Sequence, residues 1–394
     1  MKLAIPLSID RPMVLPKAFY LLYYGAAASL LPFLPIYYQS IGLSGKEIGV
    51  LVAIPPLLML VGAPLWGGLA DATHQHKRLL MLAVSLALIS VVALSLTSRF
   101  VIFIPVVAAY ALFIAPVMPL IDNTVLEMLG ERRSEYGKQR FWGAVGWGVA
   151  ALLVGWWIER SGLRWTFIIY FVVMSVGLLV IWFLPVRQTS IGSKFWQGLR
   201  SLLLNWQWVI FLLLVFIGGT ILSMISSFLF LYLNDMSASK TVMGLSLTVA
   251  TISEMPVLFF SEHMLKRWSA KGLLTFALLI SAVRSLAYSF ISTSSLVLLV
   301  QLLHGPSFSA MWVAGVSYAN KIAPKGMGAT AQGLFSGVQL GLAGTFGGLI
   351  GGVLYENLGA VMMFRWVGMI GLAVVLVFFF LNVTGSRFLN TVKA

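Results

Sequence analysis

Apolar runs of 19 to 28 residues recur along almost the whole chain, and short turns carrying Gly, Pro or charge separate them. They fall at about 16–38, 46–70, 79–97, 101–128, 138–158, 165–185, 208–233, 241–262, 271–292, 296–319, 327–354 and 362–382. About 20 apolar residues in an α-helix cross the hydrocarbon core of a bilayer, so each run predicts one span. The pattern therefore predicts an all-α membrane protein of twelve transmembrane helices. An even count returns both termini to the same side. The longest interruption divides the spans six and six, and predicts an N-terminal bundle over 1–185, a cytoplasmic linker over 186–207 and a C-terminal bundle over 208–394. Lys194, Phe195, Trp196, Leu199 and Arg200 give the linker the mixed basic and apolar character of a short helix on the inner leaflet, with a plain tether as the alternative.

A faint repeat agrees with this division. Gly155, Glu159, Gly162 and Phe167 recur with the same spacing as Gly352, Glu356, Gly359 and Phe364, 197 residues on, which is half the chain. Parallel six-helix repeats of this kind place a solute site near the membrane midplane, between the halves.

Composition narrows the class further. The 394 residues are 60% hydrophobic and 10% charged, with a mean hydropathy of +0.96, which leaves no room for a large soluble domain. A net charge of +14 could suggest nucleic acid, but the basic residues sit in short loops rather than on one soluble face. Eighteen of the 26 Lys and Arg fall on the side of the termini and the even-numbered loops, six fall on the other side, and Arg140 and Arg284 lie within spans. That bias places both termini in the cytoplasm, with the protein in the plasma (inner) membrane. The absence of cysteine excludes disulfides and thiolate metal sites. The N-terminal MKLAIPLSIDRP has no long apolar stretch or small-residue cleavage site, so the first run is expected to be retained as a span. Nothing here calls for a cofactor, a metal or an obligate protein partner. Four scattered histidines and no sizeable loop also exclude a membrane-embedded enzyme.

Charges inside spans are costly, and so they are candidate functional groups. Asp122 and Arg140 lie nine residues to either side of Glu131, at the turn between the fourth and fifth spans, so a helical hairpin brings them to equal depth. They can pair there, as a solute site or as a structural ion pair. Glu254 and Arg284 sit midway in the eighth and ninth spans and are expected to pair as well. A motion that separated such a pair would change the carboxylate's proton affinity, which couples a proton to a conformational change; a static pair is the alternative. His304 stands just before Gly305 and Pro306, residues that bend a helix, and serves either packing or proton transfer. Gln301 is one turn earlier. Between the second and third spans, Gly67 and Asp71 precede the basic pair Lys77 and Arg78, an arrangement suited to a gate contact at a helix end on the inner face. Gly333, Gly337 and Gly341, then Gly344, Gly348 and Gly352, predict close helix packing in the eleventh span.

These residues together resemble the major facilitator superfamily over essentially the whole chain. Gly67-x-Leu69-Ala70-Asp71 with Lys77 and Arg78 is similar to that family's signature loop, with Ala72, His74 and Gln75 where it has a basic residue, a glycine and a basic residue. LPFLPIYY in the first span, PLID in the fourth and Tyr136-Gly137-Lys138-x-Arg140-x-x-Gly143-x-x-Gly146-Trp147 in the fifth resemble the lactose permease and phenylpropionate permease branch. The resemblance implies two pseudo-symmetric six-helix bundles. It also implies substrate-binding roles for Asp122, Arg140 and Trp147, and proton-coupling roles for Glu254, Arg284 and His304. Ser307 stands where the lactose permease has its proton-carrying glutamate, Gln301 where it has a lysine, and 208–233 contains no acid, so lactose itself is not implied. The expectation is a proton-coupled symporter of a small organic solute such as a sugar, nucleoside or aromatic acid, working by alternating access with protons, solute and membrane lipid as its partners. A proton-coupled exporter of hydrophobic compounds, or a non-transporting substrate sensor, is the alternative on the same fold.

Overall fold

The computed structural model describes residues 11–185, 202, 204–323 and 327–391. Residues 194–200 of the expected surface helix lie outside them, as does the side chain of Asp71. Among the described residues, ten helical stretches are long and apolar enough to cross a membrane. Two of these are double. Phe100–Ser161 has 62 residues and is interrupted by the 3-10 turn Gly130–Glu135, and Thr330–Phe378 has 49 residues and breaks at Gly359. Eight single and two double stretches give the twelve expected spans. The break at Gly359 needs φ = 73°, the left-handed region that a glycine adopts without steric cost.

The outward surface explains why the apolar pattern runs nearly all round each helix. Large side chains such as Leu96 and Phe259 (each 82% exposed) and Phe183 (69%) have no protein neighbour to cover them, as expected where lipid is the solvent. Inside, aromatic residues fill the gaps. Trp208, Phe211, Tyr318 and Phe335 stack in one core, with Phe211 and Tyr318 centroids 4.3 Å apart.

The chain forms two compact units, residues 1–34 with 58–192 and residues 35–57 with 193–394. In the first, the first span packs along the fifth and sixth, and the third against the fourth and sixth. In the second, the seventh and ninth spans pack against the glycine-rich eleventh and twelfth, and the eighth against the tenth. The segment 35–57 belongs to the second unit although it lies early in sequence. Its ends are marked by proline, Pro32 and Pro35 around a 3-10 turn at Leu31–Phe33, and Pro55 and Pro56 in the second span. Proline removes a helical hydrogen bond, so a helix bends most easily there.

Candidate functional site

In the first unit the site begins with two glycines. A side chain at Gly146 would run into the carbonyl of Leu21, and a Cβ at Gly143 would lie 2.5 Å from the Tyr24 ring, so the first span can approach this closely only because both positions are glycine. That approach delivers Tyr20 and Tyr24 to the charges. Arg140 Nη1 donates to Tyr136 Oη (3.0 Å) and more distantly to Asp122 Oδ2 (3.4 Å), while Nη2 donates to Tyr24 Oη (3.4 Å). Asp122 takes its short bond from Tyr20 Oη, at 2.6 Å. The expected meeting of Asp122 and Arg140 is present but long. Trp147, two helical turns from Arg140 on the same face, is half-buried.

A guanidinium carries five N–H donors in a fixed fork. Arg140 uses its donors at 3.0–3.4 Å and leaves its side chain 45% exposed, so it can take a further acceptor. The three tyrosines were not among the residues singled out by charge. Their signal was spacing: Tyr20 and Tyr24, and likewise Tyr136 and Arg140, lie four apart and share a helix face.

The second cluster starts from a break in the tenth span. Pro306 has no N–H to give, the helix widens into a π turn over Gly305–Ser309, and Ser253 of the eighth span compensates. Its Oγ accepts from Gly305 N (2.9 Å) and donates its one proton to the Ala250 carbonyl of its own helix (2.6 Å), with the Gln301 carbonyl 3.3 Å away. Gly305 is obligatory, because a side chain there would run into the Ser253 carbonyl. The docking sets Glu254, the next residue along, beside His304.

The expected direct pair of Glu254 and Arg284 does not form, because His304 stands between them. Arg284 Nη1 lies 3.0 Å from His304 Nδ1, and His304 Nε2 lies 3.2 Å from Glu254 Oε1. Arginine only donates, so Nδ1 must accept, and the ring proton sits on Nε2, facing the carboxylate. Ser309 Oγ donates to the other carboxylate oxygen at 3.2 Å. Arg284 is 2% exposed and is also held by Gln301 Oε1 (2.6 Å), Tyr288 Oη (3.3 Å) and Ser307 Oγ (3.5 Å). Four protein acceptors hold this arginine, through all three of its nitrogens. Glu254 keeps 26% of its side chain exposed, and so the accessible end of the relay is the carboxylate.

On the face proposed for gating, Gly67 and Asp71 lie in the last turns of the helix Gly45–Thr73. Lys77 Nζ donates to the carbonyls of Trp182 (2.6 Å) and Leu184 (3.0 Å), placing a cation at the negative end of the sixth span. Among the described residues no group of His, Cys, Asp and Glu could hold a metal ion.

Comparison with known proteins adds four findings. The model of the MFS_1 like family matches residues 14–366. The chain is 30% identical to the maltose permease of Geobacillus stearothermophilus over 363 residues, covering 90% of this chain and 91% of the permease. It is 24% identical to the probable 3-phenylpropionic acid transporter of Escherichia coli K12, over 86% of this chain and 90% of that protein. Among solved structures, the nucleoside transporter NupG superposes with a TM-score of 0.83 at 16% identity, covering 93% of this chain and 98% of that one.

Proposed function

This chain belongs to the MFS_1 like family, and from that premise we propose that it is a proton-coupled symporter of a small organic solute: a sugar, a nucleoside or an aromatic acid. Its relatives, a maltose permease, a probable 3-phenylpropionic acid transporter and a putative nucleoside transporter, mark out this range. The observation that carries the reading is the contrast between the two arginines. Arg140 is half-exposed and loosely held beside Asp122, tyrosine hydroxyls and Trp147, which suits hydroxyl-rich or anionic solutes carrying an apolar ring. Arg284 is buried and held by four protein acceptors, and serves to orient His304 toward Glu254.

In this reading solute binds at Asp122, Arg140 and Trp147, and Glu254 takes up and releases the proton. Arg284 and His304 hold it in place, and Gly67 and Asp71 gate the cytoplasmic face. Alternating access of bundles 1–185 and 208–394 would expose the site to each side in turn, in the plasma membrane with both termini in the cytoplasm.

Solute binding tests it directly. A thermal-shift screen against sugars, nucleosides and aromatic acids should find a stabilising ligand, because saturation at 100 times the dissociation constant adds about 2.7 kcal/mol. Arg140→Ala should lose that shift while remaining folded and inserted. Unchanged affinity in Arg140→Ala would remove the binding role.

A further inference from the structure

The fifth and sixth spans, Tyr136–Ser161 and Trp165–Phe183, form a hairpin that turns at Gly162, where φ = 92° favours glycine. Both helices pack along the first span more extensively than on each other. The sixth turns Phe167, Tyr170 and Met174 inward, and on the outward side a groove of about 370 Å³ remains between the two helices. That is the size of a small-molecule site, and every residue lining it is apolar.

Each wall of the groove is one helical stripe. On the fifth span Leu153, Trp157 and Arg160 stand at i, i+4 and i+7, and on the sixth Arg164, Ile168 and Val172 follow at intervals of four, with Trp165 beside Arg164. Both stripes read the same way: aliphatic at depth, tryptophan above, arginine at the turn. Trp157 and Trp165 meet edge to face across the mouth, with centroids 5.7 Å apart. The wall on the sixth span is β-branched throughout below Trp165, so its rotamers are restricted before anything binds, and filling the groove costs little side-chain entropy.

The two cations at the mouth are available. Arg160 Cζ lies 4.4 Å from the Trp156 ring centroid, and Nη1 donates to the Trp156 carbonyl at 3.0 Å, which steadies the guanidinium while leaving most of its fork unused. The guanidinium of Arg164 has no partner among the described residues. With Glu159 the hairpin carries two positive charges and one negative. Depth identifies the occupant. The groove reaches from Trp165 to Val173, about 12 Å along a helix, which lies within the roughly 15 Å of one leaflet. A partner's transmembrane helix would need a groove across the full thickness, whereas an acyl chain needs one leaflet and brings a headgroup to the level of the arginines.

We propose that this groove is a site for one anionic phospholipid of the leaflet opposite the termini, with an acyl chain between the spans and the phosphate on Arg160 and Arg164. The guanidinium fork matches phosphate oxygens, and the indoles of Trp157 and Trp165 stand at the polar boundary that tryptophan favours. The site rests on the membrane-spanning fold alone and is independent of the solute carried.

The test is a titration of the purified, delipidated full-length protein in a non-ionic detergent with dioleoyl phosphatidylglycerol or dioleoyl phosphatidylcholine, read by native mass spectrometry. The first phosphatidylglycerol should bind about twentyfold more tightly than the first phosphatidylcholine, from roughly fivefold for each arginine. Arg160→Gln combined with Arg164→Gln should erase that preference. Val172→Trp, at a position 55% exposed, plugs the groove with both cations in place and should weaken both lipids about tenfold. All three positions are exposed, so the lipid-free thermal midpoint should not move. Equal affinities for the two lipids in the natural chain, or a preference that survives the double arginine variant, would overturn the proposal, as would unchanged binding in Val172→Trp. Displacement of the lipid by inorganic phosphate would make this a free-anion site, and a dimer dispersed by Val172→Trp would make the groove an interface between copies; either result also overturns it. Solute binding at Arg140 is read separately, so failure of the lipid site leaves that reading standing, and the reverse holds too.

Discussion

Replacing His304 gives the sharpest check on the relay, because the ring has two separable jobs. His304→Ala removes the acceptor for Arg284 Nη1 and the donor to Glu254 Oε1 together. Arg284 retains Gln301, Tyr288 and Ser307, but at 2% exposure water cannot replace the lost acceptor, and Glu254 retains only its bond from Ser309. A buried donor left unsatisfied costs about 1–3 kcal/mol. The stacked contact of the His304 ring with Phe308, centroids 5.4 Å apart, adds about 1 kcal/mol more. His304→Gln is the control: its amide oxygen can accept from Arg284 while its amide nitrogen donates to Glu254, so only the stacking is lost, at about 1 kcal/mol. Reversible unfolding of the purified protein in mixed micelles should therefore rank wild type just above His304→Gln, and His304→Ala far below. Equal losses in the two variants would refute the reasoning, since the hydrogen bonds would then not be what the ring supplies. A loss below about 1 kcal/mol in His304→Ala would refute it as well, by showing that Arg284 finds another partner.

Two further outcomes follow from the site. Glu254→Gln, which imitates a permanently protonated carboxylate, should abolish solute accumulation driven by a pH gradient and spare exchange between equal pools; accumulation that persists would remove Glu254 from the proton path, and the same behaviour in Asp122→Asn alone would move that path to the first unit. Asp71→Asn should shift the protein away from its outward-open state without loss of solute binding, seen as opposite changes in accessibility of single cysteines on the two faces; no change at either face would make Asp71 a loop charge only.

The fold was legible because a membrane leaves so few choices. With no water to satisfy backbone groups, an apolar run of 19 to 28 residues has the helix as its open route, and twelve such runs separated by short polar turns admit little else. Ends were less legible than existence. The seventh helix continues to Asp235, because Asn234 and Asp235 are satisfied by partners from distant parts of the chain that no local pattern announces. The same holds for the segment 35–57. Its hydropathy is that of the helices it continues, and the glycines facing it on the eleventh span, Gly344, Gly348 and Gly352, reveal where it is seated. Those glycines were read as packing positions, but a spacing of four does not name the neighbour. The earlier part of the series shows the limit, since a Cβ on Gly333 would meet nothing within 4 Å.

Which residues carry charge into the spans could be read from composition; what each charge does could not. Asp122 with Arg140, and Glu254 with Arg284, look equivalent in sequence, an acid and a base at matching depth. Their difference comes from neutral neighbours. Around Arg284 the chain supplies an imidazole, an amide and two hydroxyls, acceptors for four of the five donors of its fork, and one of them is the histidine that carries the connection on to Glu254. Around Arg140 it supplies tyrosines and a carboxylate at longer range, and Tyr20 takes the carboxylate's best bond for itself. A buried arginine held at all three of its nitrogens is part of the scaffold, whereas an exposed one held at longer range can form stronger bonds when solute arrives than it has when empty. That difference in bonding between the empty and loaded states is the quantity a transporter needs, because a solute can shift a conformational equilibrium only by as much as it binds one state better than the other.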